Sequence, residues 1–140
     1  MKKNKGFTLF ELLVSISIIG ILTALASVAF SGAQKKARDA RRIEDLKLVQ
    51  TAAEQYYSQN NYAYPNSSAT PWTGGGQNIL DVFPRDPKTG SVYNYTYTAA
   101  TNSYCLCTSI VMENATNANS DASCNFAAVN KTYYCVRNQQ

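Results

Sequence analysis

Gly6-Phe7-Thr8-Leu9-Phe10-Glu11-Leu12-Leu13 opens an apolar stretch that runs to Phe30. From Leu12 to Phe30 no residue is charged, and Ser15, Ser17, Gly20, Thr23, Ser27 and a few alanines are the breaks in its large aliphatic character. A helix over this span rises ~28 Å, about the hydrocarbon thickness of a bilayer. The single carboxylate, Glu11, stands at the rim of the run, and Lys2, Lys3 and Lys5 stand on the far side of Gly6. A secretory signal shares the basic start and apolar centre, but its apolar region usually spans about 7–15 residues and ends at a cleavage site. This run is longer and passes without a turn signal into a polar helical pattern. A retained membrane helix fits it better.

Residues 31–59 continue the helix with a changed character. Ala33, Ala37, Ala40, Ile43, Leu46, Val49 or Gln50, Ala53 and Tyr56 or Tyr57 recur at steps of three and four, which predicts an amphipathic stripe packed on the chain's own sheet. Lys35, Lys36, Arg38, Asp39, Arg41, Arg42, Glu44, Asp45, Lys47 and Glu54 fall between them and are expected on a solvated face. Joined, the two halves make one helix of about 50 residues, ~75 Å long. The roughly 80 residues that follow suffice for one small domain and cannot cover the apolar half. That half needs lipid or other copies of itself, which points to a polymerising subunit.

The stretch Gly6–Leu13 resembles the class III signal of type IV pilins, type II secretion pseudopilins and competence pilins. The resemblance implies a leader, residues 1–6, removed by a prepilin peptidase between Gly6 and Phe7. It implies N-methylation of Phe7, and it makes Glu11 the assembly carboxylate, paired with the Phe7 amine of a neighbouring subunit. Such a pair suits a carboxylate at the edge of hydrocarbon, which is costly to leave alone. Residues 7–30 would then be a membrane helix before assembly and filament core afterwards, 31–59 its amphipathic half and 60–140 a globular domain. Many pilins carry a helix-breaking Pro in the second half of the membrane helix. Val28 stands at the corresponding position here, so any melting should centre on Gly20.

The globular domain reads as α+β, with about three antiparallel strands against the helix and a disulfide-closed C-terminal region. Asn60 to Asn66, with Pro65, ends the helix. Residues 65–78, with Pro71, Trp72 and Gly74-Gly75-Gly76, read as a loop, and Ile79–Phe83 as a short helical turn. Pro84-Arg85-Asp86-Pro87-Lys88-Thr89-Gly90 is a turn, since Pro presets φ, Asp accepts local amides and Gly supplies positive φ. Residues 92–98 alternate, with Tyr93, Tyr95 and Tyr97 on one face; residues 103–112 alternate too, and 131–137 form the last strand. The turn followed by an aromatic strand is similar to the segment after the helix in pseudopilins, where an Asp-rich loop binds calcium. Here the loop after Met112 offers only Glu113 and Asp121, too few to assign calcium, and no cofactor is expected.

Cys105, Cys107, Cys124 and Cys135 lie in the last quarter of the chain, an even set that favours disulfides in an oxidising compartment. The C-x-C spacing and the absence of His argue against a metal. On a strand Cys105 and Cys107 share a face but are awkwardly placed to bond each other, so each is expected to pair with Cys124 or Cys135. Without His, paired carboxylates or a Cys/His set there is no catalytic constellation, and no enzyme is expected. The formal charge of +4 arises mainly in the leader: without Lys2, Lys3 and Lys5, ten basic side chains face nine acidic ones. The expected function is a major pilin of a type IV pilus-like filament. It would be a single-pass membrane protein before assembly and extracellular afterwards, with the pilus assembly machinery as partner. The rivals are a type II secretion pseudopilin, a competence pilin binding nucleic acid through Arg85, Lys88, Lys131 and Arg137, and a monomeric membrane-tethered binding domain.

Overall fold

The computed structural model describes residues 6–140; Lys2, Lys3 and Lys5, assigned to a leader from the sequence, lie outside them. The described residues divide into two compact units, the first ending at Lys35 and the second running from Lys36 to Gln140. Helix α1, Leu9–Gln59, supplies the described part of the first unit beyond Thr8 and opens the second.

In the first unit the large apolar side chains from Phe7 to Phe30 are exposed. The helix is long and apolar enough to cross a membrane, and none of its most apolar window is buried. Its polar side chains are satisfied within the helix. Ser15 donates to the Glu11 carbonyl at 2.7 Å, and Ser17, Thr23 and Ser27 donate to Leu13, Ile19 and Thr23 at 2.8 Å. A lipid-facing helix requires such internal pairing, because hydrocarbon offers no partner. At Gly20 the backbone stays helical, and the Thr23 hydroxyl also reaches its carbonyl at 3.0 Å.

In the second unit Leu46, Val49, Ala52 and Ala53 of α1 join Tyr64, Trp72, Leu80, Phe83, Tyr93, Tyr104, Leu106 and Val136 in one core. Aromatic rings dominate it: Tyr64 stacks on Tyr57 at 4.5 Å, and Tyr95 on Tyr104 at 5.5 Å. The three-stranded sheet has the order β3-β4-β5, all antiparallel, from Asn94–Thr98, Ser103–Cys107 and Cys135–Arg137. Asn102, left-handed at φ 44°, closes the β3–β4 connection. Its side chain donates to the Tyr62 carbonyl and accepts from the Tyr64 amide, which ties the exit of α1 to the sheet.

The structure differs from the sequence expectation in three places. A second sheet is present: β1, Trp72–Gly74, pairs with β2, Gln77–Leu80, where a loop and a helical turn were expected. Gly75 and Gly76, at φ 56° and 79°, make the tight hairpin turn, a pair of positive φ values that glycine adopts without a Cβ penalty. Gly74 lets α1 approach, because a Cβ there would lie 2.6 Å from Gln59 Oε1. Strand β4 ends at Cys107 rather than Met112, and β5 begins only at Cys135. Beyond Cys107 the pairing turns irregular: Thr108 and Met112 donate to Tyr134 and Thr132, while Thr132 and Tyr133 bond the loop at Ser120.

The third difference is the buried face of α1. Asp39, Arg42 and Asp45 are buried in line with Leu46 and Val49, whereas Ala37 is exposed, as is Ala40. Three of the ten charges expected in solvent are therefore buried at the start of the stripe.

Candidate functional site

Two places carry unusual chemistry, and the first is the start of α1. Thr8 and Glu11 cap it reciprocally. The Thr8 amide donates to Glu11 Oε2 at 2.9 Å, the Thr8 hydroxyl to the same oxygen at 2.7 Å, and the Glu11 amide to Thr8 Oγ1 at 3.2 Å. This is a capping box, which satisfies amides that the first helical turn leaves free. Gly6 and Phe7 precede it in exposed chain outside the helix, next to the exposed Leu9 and Phe10. Glu11 thus has a role within its own chain beside the one the resemblance implies. The Thr-x-x-Glu spacing carries that signal in the sequence.

The second place is the buried ion cluster. Arg42 is fully buried; its guanidinium donates to Asp86 at 2.7 and 3.3 Å, to Asp39 at 2.7 Å and to Glu113 at 3.2 Å. Arg38 holds Glu113 through two bonds of 2.7 Å, and Lys88 lies 3.7 Å from it. Asp39 also accepts the amides of Glu113 and Asn114, and Asp86 those of Lys88 and Thr89. Three cations meet three carboxylates, so the cluster is neutral and well satisfied, the condition under which buried charge is tolerated. It joins α1 to the 84–90 turn and to the loop after Met112.

The electrostatics follow from these contacts. Burial would push the Asp86 carboxyl up, but the Arg42 guanidinium and the amides of Lys88 and Thr89 outweigh it and hold it at about 2. Arg38 does most to lower Glu113, also to about 2, against a smaller effect of burial. Asp45 goes the other way, raised chiefly by burial. Both depressed carboxylates bind fewer protons folded than unfolded, so they stabilise above their ordinary values of 3.8 and 4.5, and that stability is lost as pH falls towards 2. The raised Asp45 offsets part of this. Thermal unfolding should therefore move to lower temperature progressively below about pH 4.5. A melting temperature that holds or rises between there and pH 2.5 would contradict the cluster's role.

Glu113 is thus committed to arginines, and the carboxylate of Asp121 accepts the amides of Ser123 and Asn125. The two carboxylates considered for calcium each serve a structural bond. The cysteines are brought together: Cys105 is bonded to Cys124 and Cys107 to Cys135, closing separations of 19 and 28 residues. The second bond joins register partners of β4 and β5, and the first draws the Cys124 loop onto the same sheet.

Comparison with known proteins bears on the first place. Residues 1–27 match the prokaryotic N-terminal methylation motif. The chain is 32% identical over 92 residues to type II secretion system core protein G of Escherichia coli (strain K12), covering 66% of this chain and 59% of that protein. It is 37% identical over 71 residues to a fimbrial protein of Pseudomonas aeruginosa, covering 51% and 45%. To the type IV major pilin protein PilA of Myxococcus xanthus (strain DK1622) it is 36% identical over 59 residues, covering 42% and 27%. The chain thus spans between about a quarter and three-fifths of the curated relatives it matches. No solved structure matches it. Motif and relatives together support a protein of the type IV pilin and pseudopilin kind.

Proposed function

We propose that this chain is a structural, non-enzymatic subunit of a type IV pilus-like filament, the major pilin, that polymerises through residues 7–30. One observation carries the reading: an apolar helical segment with its large side chains exposed ends at a capped carboxylate inside a methylation motif. Such a surface must be covered by lipid or protein. In this reading a prepilin peptidase cuts between Gly6 and Phe7, Phe7 is methylated, and the new cationic amine pairs with Glu11 of a neighbouring subunit. The precursor is held in the membrane, and the assembled filament is extracellular. The test is the fate of the chain in cells that make it with a prepilin peptidase and assembly machinery. Recovery in sheared filaments is expected, and a chain confined as a monomer to the membrane fraction would contradict it.

A second reading, a secretion pseudopilin, draws on the 92-residue similarity to core protein G, which extends beyond the shared helix. Binding of nucleic acid has less support. Of the cations available for it, Arg85 donates to the Gly90 carbonyl, Lys88 lies near Glu113 and Arg137 lies over Phe126. Filament affinity for duplex DNA measured across a salt series is expected to be low and flat, whereas phosphate contacts would give a steep loss with salt.

A further inference from the structure

The four cysteine sulfurs all lie within 4.8 Å of one another. Cys107 Sγ is 3.6 Å from Cys105 Sγ and 3.4 Å from Cys124 Sγ, neither of which is its bonded partner. Sheet register produces this closeness. Cys107 stands opposite Cys135 across β4 and β5, Cys105 lies two residues away on the same face, and the loop seats Cys124 beside them. A tetrahedral zinc-type ion holds thiolates at about 2.3 Å, which places the sulfurs about 3.8 Å apart. With the two S–S bonds opened, the four sulfurs start close to such a coordination sphere. The C-x-C spacing argues against a metal in the linear sequence, but fold and register supply the proximity that spacing does not.

We propose that in its fully reduced form the chain binds one soft divalent cation of the zinc class through Cys105, Cys107, Cys124 and Cys135. An all-sulfur donor set selects soft over hard cations. A cavity of about 620 Å³ opens on Cys105, Cys107 and Cys124 and gives an ion a way in. Arg137 lines the same cavity and has no carboxylate partner among the described residues. Its charge would offset part of the net negative charge of a tetrathiolate site. Each cystine takes two electrons from a phosphine, which becomes the phosphine oxide while water supplies its oxygen and the two protons, and the cystine becomes two thiols. The cation then displaces four protons and forms four metal–sulfur bonds without changing oxidation state. Reoxidation by two equivalents of a small-molecule disulfide, which take up the four electrons and leave as thiols, restores the two cystines and expels the ion, so metal and disulfides are alternative states of the same four sulfurs.

The experiment uses the full chain in detergent, reduced without oxygen by a phosphine, freed of reductant and titrated with cobalt(II). One cobalt per chain is expected, with the visible bands of tetrahedral thiolate coordination that zinc abolishes, and with all four cysteines shielded from alkylation. Cys124→Ser should lose the four-thiolate spectrum, and the oxidised chain should bind no cobalt. If reduction loosens the domain, adding zinc should restore its near-ultraviolet circular dichroism. Octahedral cobalt, fewer than four shielded cysteines, no recovery of a loosened domain, or equal binding by the reduced chain unfolded in urea would each overturn the proposal.

Discussion

Arg42→Ala should destabilise the globular unit by about 3–5 kcal/mol, the cost of stranding buried charge whose partner has gone. Asp39 and Asp86 are fully shielded from water, and both lose their guanidinium donor. Their amide contacts remain but do not neutralise them, and Glu113 keeps Arg38 and Lys88. Arg38→Ala provides the contrast, because its side chain is 27% exposed and water can reach the site it leaves. Its expected cost is about 1 kcal/mol. For a domain of this size the Arg42 change corresponds to a fall in melting temperature of roughly 12 °C or more. Near-ultraviolet circular dichroism of the full chain in detergent measures it. A loss under about 1 kcal/mol would mean that the residue sits in solvent, as the sequence pattern alone implies.

Glu11→Gln separates the two roles of the carboxylate. A Gln amide oxygen can still accept from Thr8, so the capping box and the helix start should survive. What disappears is the charge. If Glu11 neutralises the Phe7 amine of a neighbour in an apolar filament core, recovered filament should fall by an order of magnitude or more. The cost follows from an ammonium left in hydrocarbon without a counter-ion. Helix content and membrane insertion should not change. Filament yield equal to wild type for Gln, with loss only for Ala, would assign Glu11 to capping alone.

The parts of this protein legible in its sequence are those set by neighbours along the chain. The motif from Gly6 to Leu13, the uncharged run to Phe30 and the stop after Gln59 rest on local chemistry and helical period, and α1 follows them closely. The 84–90 turn is legible for the same reason. The Arg42 cluster is not, because two of its three carboxylate partners lie 44 and 71 residues away and an isolated Arg-rich helix face looks solvated. The β1–β2 hairpin is masked in the sequence because three successive glycines read as a loop, although Gly75-Gly76 is itself a hairpin turn signal. Cysteine pairing depends on strand register, which sets Cys107 against Cys135 and is fixed only once the sheet packs. Among the site residues, Thr8 was within reach of the sequence through its spacing to Glu11.

The most direct measurement of the central claim is intact and N-terminal mass spectrometry of the chain purified from assembled material. The account predicts a chain that begins at Phe7 and is heavier than the unmodified sequence by one N-terminal methyl group. A chain that retains Met1, or one that begins unmodified after Phe30, would contradict it.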